Sequence, residues 1–234
     1  MVDGLVKKGL LERIAPGLYL IHPLRSLSRP RSVSATVVAA ALLAGEPYYL
    51  GGWWAFSLHR LSQQMYASLL DAYVTRERRH RQLKGAKLIF HVLPPTAFGY
   101  GIATVTLEGT AVNASDAERT VLDALDYPKT FGDVRAVLQL VEPAIDRVDR
   151  AQLVAYAARG SNPSTCQRIG VLLERRGAPT RALAPLARRI RETSSLLSMV
   201  PDAPRTGKVN MKWRVVENDQ ADSHHLDDEE IGQA

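Results

Sequence analysis

Apolar residues at the start of the chain recur at helical spacing. The apolar positions are Val2, Leu5, Val6 and Leu10. Gly9 is a residue type that ends helices. Two apolar runs, 11–14 and 18–21, follow on either side of a turn signal at Ala15-Pro16-Gly17. This pattern predicts a helix followed by a β-hairpin, the arrangement of a recognition helix and wing in a winged helix.

In the rest of the chain, segments whose apolar residues have the spacing of a strand alternate with segments whose apolar residues have the spacing of a helix. Helices are predicted at 33–44, 53–61, 115–126, 132–142, 149–159, 163–176 and 182–192, and strands at 69–75, 87–93, twice within 101–114, and at 212–217. We therefore expect an α+β fold. Its predicted parts are a partial winged helix (1–22), a linker (23–34), a mixed-sheet domain with a helical C-terminal half (35–217) and a disordered acidic tail (218–234).

A recognition helix normally packs against one or two earlier helices, and the sequence as given does not contain them. We expect the apolar face of residues 2–10 to be poorly covered in consequence. DNA binding by this form is accordingly expected to be impaired.

Charge is distributed unevenly along the 234 residues. The net charge is +6, yet residues 1–216 hold 30 basic and 17 acidic side chains, a net of +13. A body this basic is expected to attract polyanions or an acidic protein surface. Many basic domains bind nothing specific, so that alternative stays open. A single cysteine, no secretory signal and no membrane-length apolar stretch predict a cytoplasmic protein with no membrane partner.

The densest positive charge lies between two predicted strands. It comprises Arg76, Arg78, Arg79, His80, Arg81, Lys84 and Lys87. Side chains on such a connection can reach a phosphate or an acidic partner. No aromatic residues are interleaved, so stacking on single-stranded bases is not indicated. The alternative is a solvated loop.

The segment 113–125 combines acids and bases on a predicted helix. Ser115 or Asp116 can cap it, and Glu118 stands at the capping-box spacing from Ser115. Arg119 and Asp123 are four residues apart, so they are predicted to pair. Asp116, Glu118 and Asp123 have the chemistry to hold a metal, but capping and pairing account for all three, and we predict a structural motif.

Motifs for catalysis are missing from the sequence. It contains no Glu-x-Lys or Asp-x-Lys of a nuclease site, no P-loop, and no Gly-x-Ser-x-Gly. Gly51-Gly52 is followed by Trp53 rather than by the paired aspartates of a nucleotidyltransferase. We expect no enzymatic activity, no cofactor and no metal.

Several segments, in order, resemble AbiEi-type antitoxins of type IV abortive-infection systems. They are LVKKGLLERIAPGLYLI, YYLGGWWAFSLHRLS, the arginine-rich connection, SDAERTVLDAL, CQRIGVLLERRG and KWRVVEN, within roughly residues 2 to 218. The resemblance implies a winged helix that binds the promoter DNA of its own operon and represses it. It also implies a larger domain that opposes a cognate nucleotidyltransferase-like toxin, either by direct contact or by acting on the toxin's substrate.

The resemblance also assigns roles to residues. It implies DNA contacts by Lys7 and Lys8 on the recognition helix and by Arg13 and Tyr19 on the wing. Arg76, Arg78, Arg79 and Arg81 fall on the basic face of the larger domain. Two alternatives are a plain winged-helix regulator without a toxin, and a divergent nuclease on the basic body.

Overall fold

The computed structural model describes residues 2–15, 17–21, 33–63, 68–191 and 193–219. The chain divides into two compact units, one formed by Met1–Trp54 and Met65–Ala114, the other by Ala55–Gln64 and Ser115–Ala234. Helices and sheets are mixed along it, which confirms the α+β prediction. Residues 35–217, predicted as one domain, contribute to both units.

The first unit begins with the predicted helix and hairpin. Helix α1 (Val2–Lys7) is followed by strands β1 (Leu11–Ala15) and β2 (Leu18–Ile21), which pair antiparallel. Gly9 ends the helix at φ +70°. The Gly9 and Leu10 N–H groups donate to the carbonyls of the last turn at 3.0 Å each, the pattern of a Schellman cap. The prediction of a helix followed by a β-hairpin is confirmed.

Between Ala35 and Ser115 the chain forms most of the first unit. Its elements are α2 (Ala35–Leu43), β3 (Tyr48–Gly51), α3 (Gly52–Leu58), β4 (Leu69–Val74), β5 (Arg81–Leu83), β6 (Ala86–Val92), a 3-10 turn (Pro95–Phe98), β7 (Ile102–Leu107) and β8 (Thr110–Ser115). The six strands form one sheet in the order β5-β6-β4-β3-β8-β7. β3 lies antiparallel to β4, and β4 lies parallel to β6.

Helix α2 covers one face of this sheet. Ser34 caps it by accepting the Val37 N–H at 3.4 Å. Its small residues Ala39 and Ala40 let the helix approach the sheet closely, and they pack with alternate strand residues such as Leu70 and Leu88. The other face carries the intervening strand residues, and that face holds the polar groups described below.

The turn between β7 and β8 shows why two strands fit within residues 101–114. Glu108 and Gly109 have φ values of +50° and +79°. Two successive left-handed residues make the type I′ turn whose twist suits a two-residue hairpin. The sequence-based prediction of two strands within residues 101–114 is confirmed.

The second unit is mainly helical. Its elements are α4 (Ala117–Asp126), α5 (Val134–Ala144), α6 (Arg150–Gly160), α7 (Pro163–Arg175), α8 (Ala184–Arg189), β9 (Leu197–Ser198), β10 (Lys208–Asn210) and β11 (Val215–Glu217), with 3-10 turns at Pro128–Thr130 and Ile145–Arg147. The strands form a small sheet in the order β10-β11-β9, with β11 parallel to β9 and antiparallel to β10.

Several boundaries differ from the sequence-based prediction; helix α3, for example, ends at Leu58 rather than 61. The last strand starts at Val215 rather than 212, because a turn ending at Arg214, with φ +54°, precedes it. Helix α8 is shorter than the predicted 182–192. Asn218 and Asp219 belong to the fold rather than to the tail, since Asn218 is buried and its side-chain amide donates to the Val200 carbonyl at 2.9 Å.

Two predicted segments lie outside the described residues: most of the linker (22–32) and the tail from 220 to 234. Across the described ranges, no helix has both the length and the apolar character that crossing a bilayer requires.

Candidate nucleic-acid interface

The helix and hairpin at the start of the chain present basic side chains to solvent. Lys7 ends α1, and Lys8 lies just beyond the helix in the capping turn. Both are exposed, as is Arg13 on β1. Arg13 lies directly opposite Tyr19 in the β1–β2 register, so the two side chains share one face of the hairpin. A guanidinium beside a phenol can contact phosphate and sugar together.

The apolar side of α1 is largely open. No residue of α1 is buried, and Val2 and Leu5 are 42% and 36% exposed. This agrees with the expectation of a poorly covered face at residues 2–10. The basic and apolar sides of the helix are therefore both available for contacts.

The arginine-rich connection contains a strand that the sequence pattern did not indicate. Arg81 lies on β5 and faces Leu88 of β6 in the ladder, whereas Arg76 and Arg79 lie on the preceding loop. All three arginines are exposed. The prediction of a connection without a strand was wrong here, because the short segment Arg81-Gln82-Leu83 gains strand geometry from pairing with β6 rather than from its own composition.

Arg78 differs from its neighbours because it has an acidic partner. Its guanidinium lies 2.6 Å from the Glu46 carboxylate, and this hydrogen bond lowers the pKa of Glu46 below its ordinary value. An arginine already paired contributes less to the attraction of a polyanion. The structure thus distinguishes Arg78 from Arg76 and Arg79, which the sequence treats alike.

The motif at 115–123 stabilises the fold of the second unit. Asp116 is the N-cap of α4, and its carboxylate accepts the Arg119 N–H at 2.8 Å. Arg119 and Asp123 pair at 2.6 Å, as predicted, although both side chains are buried rather than exposed on a helix face. A buried, paired guanidinium cannot also contact an external ligand.

The predicted capping box is wrong. The Glu118 carboxylate does not turn back to its own helix but accepts the Asp149 N–H at 2.8 Å. The Ser115 hydroxyl pairs with the Thr120 hydroxyl at 2.8 Å instead of capping. Glu118 therefore bonds to the start of α6, because tertiary contact between helices outweighs the local motif.

A buried carboxylate–imidazole pair lies on the sheet face opposite α2 and was not anticipated. Asp71 on β4 is 1% exposed, and its Oδ1 lies 2.7 Å from Nε2 of His91 on β6. Within the part of the chain that the structure describes, Asp71 Oδ2 has no hydrogen-bond partner. Gly52 allows this arrangement, since a Cβ there would lie 2.2 Å from that oxygen. The signal in the sequence is one aspartate and one histidine inside the apolar runs 69–74 and 88–92.

Stacked aromatic rings surround the pair. The Tyr73 ring stacks on Tyr49 at 4.7 Å and on the His91 imidazole at 5.0 Å between centroids. The Asp71 carboxylate fixes the imidazole through Nε2. The arrangement orients a partly exposed histidine.

The resembling segments CQRIGVLLERRG and KWRVVEN contact each other in the second unit. Gly170 on α7 lies against the Trp213 ring, where a Cβ would come within 2.3 Å of it. The Trp213 indole N–H donates to the Glu174 carboxylate at 2.9 Å. Arg175 pairs with Glu217 and Asp219, each at 2.6 Å. Through these contacts the two segments form one structural unit, called the clamp below, which consists of Gly170, Glu174, Arg175, Trp213, Glu217 and Asp219.

Two further observations concern reactive groups. Burial raises the pKa of the Cys166 thiol to about 12, so the thiol stays protonated and unreactive at neutral pH. Among the residues that the structure describes, no three metal-ligating side chains lie together.

Comparison with known proteins finds similarity among solved structures. No family model matches the chain. No curated protein matches it at a significant level. Among solved structures, it is similar to the RV2827C protein from Mycobacterium tuberculosis, whose crystal structure aligns with 92% of this chain and 77% of that chain, at a TM-score of 0.63 and 15% identity. At this identity the likeness shows a shared fold.

Proposed function

We propose that this protein is a DNA-binding antitoxin of the AbiEi type, which represses its own operon and opposes a nucleotidyltransferase-like toxin. The observation that carries the DNA-binding part is the short helix, ended by Gly9, that leads directly into a hairpin with exposed basic side chains on both elements. A cytoplasmic location, where promoter DNA is found, is part of the proposal.

The DNA contacts are assigned to the helix and the hairpin together. Lys7 and Lys8 supply charge from α1, and Arg13 with Tyr19 supplies a second contact from the hairpin. Lysine and arginine contacts to phosphate release counterions, so affinity should fall steeply as salt rises. The exposed apolar face of α1 is expected to limit this affinity, because the helix has little packing to hold its orientation.

DNA binding is tested by titrating a labelled duplex from upstream of the gene, in fluorescence anisotropy, over a series of salt concentrations. Changing Lys7→Glu together with Lys8→Glu should lower affinity by at least about tenfold and reduce the salt slope by about 2, one for each lost phosphate contact. The charge-matched control is Lys129→Glu with Lys208→Glu, two exposed lysines in the second unit. Equal losses in both double variants would refute the helix–hairpin assignment.

The antitoxin part is supported by the resemblance and by the clamp that joins two of the resembling segments. It is tested by co-expression with a nucleotidyltransferase-like protein encoded by a neighbouring gene. The proposal expects growth to be rescued by the full chain and equally by the Lys7→Glu, Lys8→Glu variant. Failure of the wild-type chain to rescue growth would leave the plain regulator as the better function.

A further inference from the structure

Strand β6 has an edge that its neighbour covers only in part. β5 contains three residues, and its pairing with β6 ends at Leu88. β6 continues to Val92, and on its other side β4 pairs with it over the whole length from Lys87 to Val92. Within the described residues, the stretch from Ile89 to Val92 therefore has a strand neighbour on one side alone.

The backbone groups on this open stretch face outward in a regular order. Lys87 and Leu93 donate their N–H groups to carbonyls of the β4 segment at 2.9 Å each, so the odd-numbered residues of β6 face β4 and the even-numbered ones face away. The Phe90 N–H donates to Nδ1 of His80 at 3.2 Å. The Phe90 carbonyl and both backbone groups of Val92 remain directed at the open edge.

Side chains form a groove beside this edge. It has a volume of about 400 Å³ and is lined by Glu77, Arg78, Arg79, Phe90 and Val92. Val92 is 49% exposed, which is unusual for a valine on a strand of the main sheet. An exposed β-branched side chain next to free backbone groups is the surface on which an added strand would pack.

The charges around the groove indicate which kind of added strand it would bind. Arg76 and Arg79 are exposed, whereas Arg78 is paired with Glu46 at 2.6 Å. Glu77 is the one acid among the lining residues. Arg76 lies just before the lining residues in the chain, and together with Arg79 it gives two exposed arginines against this one acid. A ligand with acidic side chains is therefore favoured at the arginine end of the groove.

We infer that the open edge of β6, from Phe90 to Val92, binds an extended acidic segment of a partner protein by strand addition. One apolar side chain of the segment packs on Val92, and a carboxylate pairs with Arg79. Nucleic acid fits this surface less well, because a phosphodiester has no N–H donor for the Phe90 carbonyl and gains nothing from an exposed valine. In the antitoxin role the segment would belong to the toxin, and to that extent the inference rests on the proposed function.

The test uses the full chain and a labelled synthetic peptide, Glu-Val-Glu-Val-Glu-Val, in fluorescence anisotropy. The expected result is saturable binding that is lost when alternate amides of the peptide are N-methylated, because methylation removes the donors that form the ladder. Arg79→Glu should weaken binding by about tenfold, and Val92→Pro should abolish it by removing the outward N–H.

Two further variants sharpen the assignment. Lys84→Glu makes the same charge change at an exposed position beyond the paired end of β5, and it should alter affinity by no more than about twofold. Glu77→Gln should strengthen binding by about two- to fivefold, because it removes the acid of the groove. Each variant is checked by thermal unfolding against the wild-type chain.

Several results would overturn the inference. They are absence of peptide binding, equal affinity for the N-methylated peptide, and equal losses with Arg79→Glu and Lys84→Glu. Displacement of the peptide by duplex DNA, with the same dependence on Arg79, would assign the groove to nucleic acid. The Lys7→Glu, Lys8→Glu variant should bind the peptide normally, so failure of DNA binding and failure of strand addition are distinguishable.

Discussion

Gly170 lies on the face of α7 against which the Trp213 indole packs. In most helices a Gly→Ala change stabilises the fold, because it reduces the entropy of the unfolded chain. Here the added Cβ would lie 2.3 Å from the ring, and Trp213 is fully buried, so the clash cannot be relieved by moving the ring into solvent. The helix pattern predicted α7, but no pattern in one sequence indicates which glycine meets a distant tryptophan.

The expected effect of the Gly→Ala change on the free energy of unfolding therefore has the opposite sign at position 170. Gly170→Ala should destabilise the protein by about 2 kcal/mol, a fall in Tm of roughly 4–8 °C in thermal unfolding. Gly4→Ala is the matched control, because Gly4 lies within α1 and a Cβ there meets nothing within 4 Å. A stabilising Gly170→Ala change would mean that Trp213 does not pack where the structure has it.

Asp126 provides a residue-scale prediction about pH. Burial raises the pKa of its carboxyl above the ordinary value of 3.8. A carboxyl with a raised pKa in the folded state binds its proton more tightly there, so stability falls as pH rises from 3.8 through the folded-state pKa. Asp126→Asn should therefore be more stable than wild type at pH 7 and equal to it below the unfolded pKa.

Chemical denaturation of both proteins across pH measures this difference. An asparagine can still accept the Asn162 N–H, which donates to Asp126 Oδ1 at 3.0 Å, so the helix contact is retained. A variant less stable than wild type at neutral pH would show that the negative charge itself stabilises the site.

At the scale of elements, the spacing of apolar residues along the chain predicted most helices and strands. The prediction failed where a strand forms only because it pairs with a neighbour. Strand β5 has only three residues, two of them polar, and takes its conformation from pairing with the edge of β6. Glu118 had the spacing of a capping box, yet it bonds to α6. The basic segment was visible in the sequence, but the pairing of Arg78 with Glu46 was not, since it depends on residues 32 positions apart.

The junction of α7 with β11 gives the element-scale prediction. Arg175 pairs with Glu217 and Asp219. Burial is the largest single effect on the pKa of Asp219 and raises it, but the hydrogen bonds and the positive charge of Arg175 together hold this pKa below its ordinary value. A lowered carboxyl pKa contributes stability above the unfolded value of 3.8, and this contribution is lost as pH falls through the folded pKa.

Arg175→Met should accordingly cost about 2–3 kcal/mol at pH 7, and the difference from wild type should shrink as pH falls below about 4. Arg175→Lys keeps the charge but loses the forked geometry of the guanidinium, so its free energy of unfolding should lie between those of the wild type and Arg175→Met. Urea denaturation at a series of pH values measures both. A deficit independent of pH would assign the role of Arg175 to packing alone.

For the whole molecule, the sequence indicated a basic body and an acidic end. The structure shows that Asp219, one of the acids of that end, is bound to the fold. Asp219 is held by Arg175, whereas the five acids from Asp222 onward follow it. A chain ending at 219 has a net charge of +11 instead of +6. It should keep its Tm and bind non-specific duplex more tightly, with a steeper salt dependence.

A chain ending at 216 is the contrasting truncation. It also lacks Glu217 and Asp219, so it should unfold at a lower temperature by several degrees. Parallel thermal unfolding and salt-dependent anisotropy of the two truncations separate the effect of charge from that of the clamp. Equal Tm values would show that the clamp contributes nothing to stability.

The order of strands in the small sheet bears on how the protein is made. The central strand, β11, follows both of its neighbours in the chain. During synthesis the first unit can close once Ala114 has left the ribosome, but the second unit lacks its middle strand until Glu217 has emerged. A nascent or prematurely terminated chain would then expose the unpaired edges of β9 and β10, and cellular proteases could remove it before it acts.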